Sequence, residues 1–271
     1  MISLKSPLKC LGHQTDLIFA RFFGIVGQHA DCISIQSPSN RGHYFGNYLI
    51  YLRPPQKGDL PVWSEQFETL VGPPEEVRHR MFCWDDPENA GEVQAFLDAG
   101  YILEDSIVMT AESLNEASPR AENVEIRPLQ DTDEDWAALF RLQMTLKPEE
   151  NDEGRYAEFK KAHLKMYREM QRQNLGHWYG AWMGGQLVSN MGLFVDDKLA
   201  RYQQVGTHPD FRRLNLTRTL LKYAAEHALK IYGPRTLVIV ADEHHFAKEV
   251  YRSAGFEPLE KQYALLKMPG K

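Results

Sequence analysis

The residues best placed to do chemistry lie between 205 and 221: Val205, Gly206, Thr207, His208, Pro209, then Arg212, Arg213, Asn215, Thr217 and Arg218. They stand between a strand-like run, Ala200 to Thr207, and a helical pattern with apolar positions at Leu216, Leu220, Leu221 and Ala224. A strand that turns directly into a helix aims the unbonded N–H groups of the first helical turn, with the positive end of the helix dipole, at one point. That geometry suits a phosphate. Three arginines around it add permanent positive charge, which favours a polyanion over a single weak anion.

Pro209-x-x-Arg212-x-x-Asn215-x-Thr217 resembles the acyl-CoA pyrophosphate loop of the GCN5-related N-acetyltransferases (GNAT), which reads Pro-x-x-Arg or Gln, two residues, Gly, one residue, Gly or Ala. Asn215 and Thr217 replace the two small residues. Asn tolerates a left-handed backbone better than most side chains, whereas Thr217 brings both a hydroxyl and bulk. A second stretch, Ala247-x-x-x-Tyr251-x-x-x-Gly255-Phe256, is similar to the Ala, Tyr, Gly-Phe signature of the same family. The resemblance covers about 124 to 268. It implies an α/β acyl-CoA N-acyltransferase fold with a mixed central sheet flanked by helices.

The resemblance also implies acetyl-CoA as acyl donor, held by Val205, Thr207, Arg212, Arg213, Leu214, Asn215, Leu216, Thr217 and Arg218. His244 stands where relatives often carry a cofactor-contacting Asn. Val205 to Thr207 would present strand backbone to the pantetheine amides, and one N–H there could polarise the thioester carbonyl. Tyr251 matches the tyrosine that protonates the departing thiolate, a general-acid role, and is equally readable as a buried aromatic. The general base is open. The strand before the loop, Arg201-Tyr-Gln-Gln-Val, holds no carboxylate. His208 has a suitable titration range; Asp242, Glu243, His244 and His245 are alternatives. Adjacent histidines at 244 and 245 diverge and have no third ligand in register, so no metal is expected.

The positioning elements follow from pattern. Residues 1 to 30 read as one helix with apolar positions from Leu17 to Val26. Cys32–Ile35 and Tyr44–Leu52 read as strands, Val62–Leu70 as a helix, Arg78–Trp84 as a strand, Ala90–Ala99 as a helix and Tyr101–Ala111 as a strand. Residues 112 to 123 are polar and read as a linker. After it, Val124 opens a strand, a helix begins at Trp136, an acidic loop spans 147–154, and a helix runs to about Gln173. Strands at His177–Met183 and Leu187–Val195 flank Gly184-Gly185, a hairpin turn. Trp178, Tyr179 and Trp182 read as core. Glu149, Glu150, Asp152 and Glu153 are either a cation-favouring lid or a solvated loop.

Phe96-Leu-Asp-Ala-Gly100-Tyr aligns with Tyr251-Arg-Ser-Ala-Gly255-Phe, each ahead of a strand. Residues 1–111 therefore look like a truncated, degenerate GNAT-like half-copy, with Phe96 in place of Tyr251 and without an arginine loop. The expected organisation is this unit at 1–111, a linker at 112–123 and a GNAT domain at 124–271.

Composition bounds the rest. The 271 residues carry 37 acidic against 31 basic side chains, a net charge of -6, which argues against a general nucleic-acid binder. No stretch is apolar enough to span a membrane, and the first residues lack the apolar core of a signal peptide. Three scattered cysteines suit a reducing compartment, so the expectation is cytoplasmic, without nucleic-acid or membrane partners, as monomer or homodimer. The expected activity is acetyl transfer to a primary amine of a small-molecule acceptor by direct attack. The alternatives are a non-catalytic acyl-CoA-binding or regulatory protein, and a structural protein with no cofactor.

Overall fold

The computed structural model describes residues 8–149 and 152–269. Compactness divides the chain into two units. The first comprises 1–108 with 240–244 and 259–271; the second comprises 109–239 with 245–258. The C-terminal strand thus belongs to the first unit, a division the linear reading at 112–123 does not contain.

The first unit opens with helix α1 (Leu11–Phe23), then β1 (Ile25–Gln28), β2 (Cys32–Gln36) and β3 (Tyr48–Tyr51). Helix α2 (Asp59–Leu70), β4 (Arg80–Trp84), α3 (Gln94–Asp98) and β5 (Ile102–Ala111) follow. The single helix expected as far as Val26 is corrected: Ile25–Gln28 is a strand paired antiparallel with β2, Ile25 opposite Gln36. Gly24 ends the helix in an extended conformation, where a Cβ would sit 2.7 Å from the Gln36 carbonyl. The two β-branched residues after it suit a pleated strand. The α1 amides left open at the N-terminus are met by carboxylates. Asp85 accepts from Lys9 and Cys10 at 2.7 Å each, and Glu260 from Leu11 and Gly12. The core stacks Tyr51 on Trp63, centroids 3.7 Å apart, beside Phe67, Phe82 and Phe96.

The second unit contains β6 (Val124–Pro128), α4 (Asp133–Thr145), α5 (Glu153–Arg172), β7 (Gly176–Met183), β8 (Gln186–Val195) and β9 (Leu199–Thr207). Then come α6 (Leu216–Tyr232), β10 (Thr236–Asp242) and α7 (Ala247–Ala254); β11 (Glu257–Lys267), most of it in the first unit, closes the chain. Strands β6 to β9 are antiparallel neighbours, and β10 returns parallel to β9 through the α6 crossover. The β7–β8 turn uses Gly184 and Gly185 at φ 55° and 80°, a conformation that favours residues without Cβ. Trp178 and Tyr179 are fully buried and Trp182 is nearly so, as core residues.

Both units share one local plan. In the first, β2–β3 is antiparallel and β4 returns parallel to β3 through α2. In the second, β8–β9 is antiparallel and β10 returns through α6. The aligned segments end alike: Tyr101 N–H bonds Phe96 C=O at 3.0 Å, and Phe256 N–H bonds Tyr251 C=O at 3.1 Å. Gly100 and Gly255 supply the left-handed residue this helix ending requires, at φ 87° and 107°. The crossover helices also start alike, from left-handed N-caps Gly58 (φ 93°) and Asn215 (φ 59°). They differ in the charge carried by the turn. In the first unit Asp59 takes the Gln56 N–H at 2.7 Å and pairs with Arg53, so the turn holds its own anion.

Candidate active site

Strand β9 determines the shape of the site. Asn190 and Gly192 of β8 face Gly206 and Gln203 of β9, so β9 carries one extra residue there, a β-bulge. Gln204 occupies it at φ 48°, a left-handed conformation costly for a side chain of this type. Its amide group is tied down: Oε1 accepts from Lys160 Nζ at 2.7 Å, and Nε2 lies 3.1 Å from His163 Nδ1. Lys160 Nζ also bonds Gln143 Oε1 at 2.9 Å, and Gln143 bonds Asn190 at 2.9 Å. This buried network holds the bulge from behind. In front, β10 pairs with β9 only through Thr236–Val238 against Leu199–Arg201, and β9 runs on past that register to Thr207. The backbone of 205–207 is left beside a cleft.

The cleft measures about 810 Å³ and lies within the second unit. Val205, Gly206 and Thr207 form one wall; Arg212, Arg213, Asn215, Leu216, Thr217 and Arg218 form its end; Tyr251 and neighbouring α7 residues close the other side. Arg213 and Asn215 are both left-handed (φ 64° and 59°), the turn that delivers the chain into α6. Asn215 makes no side-chain cap, and the first amide to bond back is Thr219, to the Asn215 carbonyl at 3.2 Å. The N–H groups of Leu216, Thr217 and Arg218 precede that bond, as helix geometry requires. Arg218 has a buried Nε without a protein partner. A buried donor of this kind is costly unless something accepts from it, and a phosphate oxygen fits.

Thr217 serves the wall as much as the end. Its hydroxyl lies 3.0 Å from that of Thr207, which lies 2.7 Å from Ser189 Oγ. The chain of hydroxyls ties the start of α6 to β9. Tyr251 is 6 % exposed, packs edge-on against Phe256 and lines the cleft. Burial raises its pKa well above the ordinary tyrosine value, so the hydroxyl keeps its proton at neutral pH.

Three expected residues are not brought to the cleft wall. His208 Nδ1 accepts from the Asp210 amide at 3.3 Å and its ring packs on Phe211. Leu214 turns its carbonyl to the Arg120 amide at 2.9 Å and packs in a small apolar cluster. His244 belongs to the first unit, where Nε2 lies 3.1 Å from Asp105. Its neighbour His245 lines the cleft instead, with Nδ1 accepting from the Ala247 amide at 3.2 Å. Of the acidic loop, Asp152 is the N-cap of α5, accepting from Arg155 N–H at 2.9 Å. Glu153 opens that helix, Glu149 is exposed, and Glu150 lies outside the described residues. Among the described residues no Asp or Glu lines the cleft.

Arg120, Leu146, Phe246, Val250 and Ser253 also line it. None was legible in the sequence: Arg120 sits in a polar stretch without periodicity, and the others read as ordinary helix or loop residues. Among the described residues no group of His, Cys, Asp or Glu could hold a metal ion, and no helix is long and apolar enough to cross a membrane.

Comparison with known proteins agrees with this geometry. Residues 144–264 match the family model described as an acetyltransferase (GNAT) domain. No curated protein matches the chain. Among solved structures, a functionally unknown conserved protein from Staphylococcus epidermidis superposes with a TM-score of 0.67 at 15% identity, covering 92% of this chain and 95% of the other. A GCN5-related N-acetyltransferase from Kribbella flavida gives 0.63 at 13% identity, covering 97% of each. A tandem GNAT protein from the clavulanic acid biosynthesis pathway gives 0.55 at 13%, covering 94% and 88%. At these identities the likeness is one of fold.

Proposed function

Because residues 144–264 of this chain match the acetyltransferase (GNAT) domain, we propose that the protein transfers an acetyl group from acetyl-CoA to a primary amine of a small-molecule acceptor. The observation that carries the reading is the cleft itself. It combines an open strand edge at 205–207, the first turn of α6, an arginine with a buried unpaired Nε, and a protonated tyrosine.

The amides of Leu216, Thr217 and Arg218, with the guanidinium groups of Arg212, Arg213 and Arg218, would hold the pyrophosphate. The backbone of Val205 to Thr207 would pair with the pantetheine amides as an added strand does. Acetyl-CoA supplies, when bound, an acyl group activated as a thioester that an amine can take directly. Tyr251 keeps a proton on Oη, available to a departing thiolate. With no carboxylate among the described residues of the cleft wall, the acceptor ammonium gives up one proton to water or to His245 before attack. The nitrogen sheds a second to the same acceptors as the amide forms, the thiolate takes the Tyr251 proton, and water returns one to Tyr251 Oη. Orientation along β9 and the fixed dipoles at the cleft end contribute most of the rate. The first unit is read as a degenerate copy that binds no acyl-CoA, since it lacks the arginine loop and carries a carboxylate, Asp59, at the start of its crossover helix.

A second reading, acyl-CoA binding without turnover, draws on the same lack of a carboxylate. Titration calorimetry with acetyl-CoA on the wild type and Arg212→Ala, followed by an amine panel, tests both. Binding that weakens about tenfold in the variant, with turnover of some amine, is expected. Binding without turnover of any amine favours the second reading, and no binding by the wild type refutes both.

A further inference from the structure

The stretch 112–123, which reads as a bare linker, is fastened to the second unit along its middle. Asn115 N–H bonds the Ala254 carbonyl at 2.8 Å, and Lys222 Nζ bonds the Leu114 carbonyl and Glu116, each at 3.0 Å. Asn215 Nδ2 bonds the Ser118 carbonyl at 2.7 Å, and Arg120 N–H bonds the Leu214 carbonyl at 2.9 Å. The outcome is that Arg120, exposed and without a role in the core, becomes part of the cleft wall beside Arg212 and Arg213.

Asn215 explains how. A glycine there could adopt φ 59° as readily, but could not reach Ser118. The side chain leaves its own helix uncapped, which keeps the first-turn amides open, and anchors the segment that carries Arg120. The replacement of the small residue is therefore an addition to the site.

Charge indicates what the addition is for. A pyrophosphate diester carries two negative charges, which the helix end and the loop arginines already oppose. A fourth guanidinium is in excess of that need. A phosphate monoester carries about -1.5 to -2 at pH 7, and a guanidinium fork matches its oxygens. Resting on the acyl-CoA reading above, we infer that Arg120 binds the ribose 3′-phosphate of the donor, making the linker a specificity element that distinguishes 3′-phosphorylated from dephosphorylated coenzyme.

Titration calorimetry with CoA and 3′-dephospho-CoA tests this on the full chain. The wild type is expected to prefer CoA by about ten- to a hundredfold, the range for charge-assisted bonds to one group. Arg120→Ala should bring the ratio close to one by weakening CoA alone. Arg120→Lys should keep part of the preference, and Asn215→Gly, which frees the segment without straining the turn, should reduce it. Equal affinity of the wild type for both ligands, or a loss in Arg120→Ala shared equally by both, overturns the inference while leaving the acyl-CoA reading standing. Failure of the wild type to bind either overturns the two together. Circular dichroism of each variant separates loss of contact from loss of fold.

Discussion

Lys160 is a buried ammonium held by neutral groups, and its titration should be visible in the stability of the whole protein. It is 6 % exposed; its Nζ bonds the side-chain carbonyls of Gln143 on α4 and Gln204 on β9. The rings of Tyr156 and Phe159 on its own helix lie 5.4 and 5.6 Å away, and His163 reaches it through Gln204. No carboxylate pairs with it among the described residues. Burial therefore pulls its pKa from the ordinary 10.5 down to about 8. Below pH 8 both folded and unfolded chains hold the proton, and the folded state bears the full cost of the buried charge. Between about pH 8 and 10.5 the folded state releases it while the unfolded state keeps it, so stability rises with pH. The whole shift is worth about 3 kcal/mol at roughly 1.4 kcal/mol per pH unit. From pH 8 to 9.5 the gain is about 2 kcal/mol. In Lys160→Met this gain is absent. The check is urea unfolding of both proteins at steps from pH 7.5 to 9.5, comparing the difference in unfolding free energy, in which groups common to both cancel. A difference that grows by about 2 kcal/mol in favour of the wild type is expected. Two parallel curves would refute the reasoning, because they would mean that Lys160 titrates alike folded and unfolded.

Other expectations follow from single groups. Tyr251→Phe removes the proton donor while keeping the ring: kcat for an accepted amine should fall about tenfold or more, while acetyl-CoA affinity by calorimetry stays within about twofold. A matching loss of affinity would make Tyr251 a packing residue only. Asp59→Asn should destabilise the first unit by about 1 to 3 kcal/mol at pH 7, since the Arg53 hydrogen bond and the Gln56 amide lower the Asp59 pKa below its usual 3.8. That contribution is complete above the unfolded value and disappears as pH falls through the folded one, so urea midpoints of wild type and variant should converge on acidification below about pH 4. A constant gap would point to shape instead of charge.

The sequence determined whatever depends on local chemistry. Alternation and turn residues placed the β7–β8 hairpin at Gly184-Gly185. Periodicity placed α6, and the spacing from Pro209 to Thr217 marked an anion-binding helix start. Asn215 was readable as a left-handed residue because that preference belongs to its own side chain and backbone, and the aligned Gly100 and Gly255 endings were readable for the same reason. The sheet strand at Ile25–Gln28 was not, because its apolar residues fit a helix stripe equally well until Gly24 meets the Gln36 backbone.

Tertiary structure decided which charged groups meet. Arg120 is ninety-two positions before Arg212 in the chain, and the bonds that fasten its segment, from Asn215 to Ser118 and from its own amide to Leu214, bring it to the same cleft. His208 and His245 exchanged prominence because a strand exit and a helix start direct neighbouring side chains to different sides. Lys160, one lysine on a charged helix by sequence, became a buried support of the β9 bulge through partners 17 and 44 residues away. Pattern along a chain reports what each residue prefers locally; which groups share a cleft, and in what dielectric, is settled by packing between segments distant in sequence.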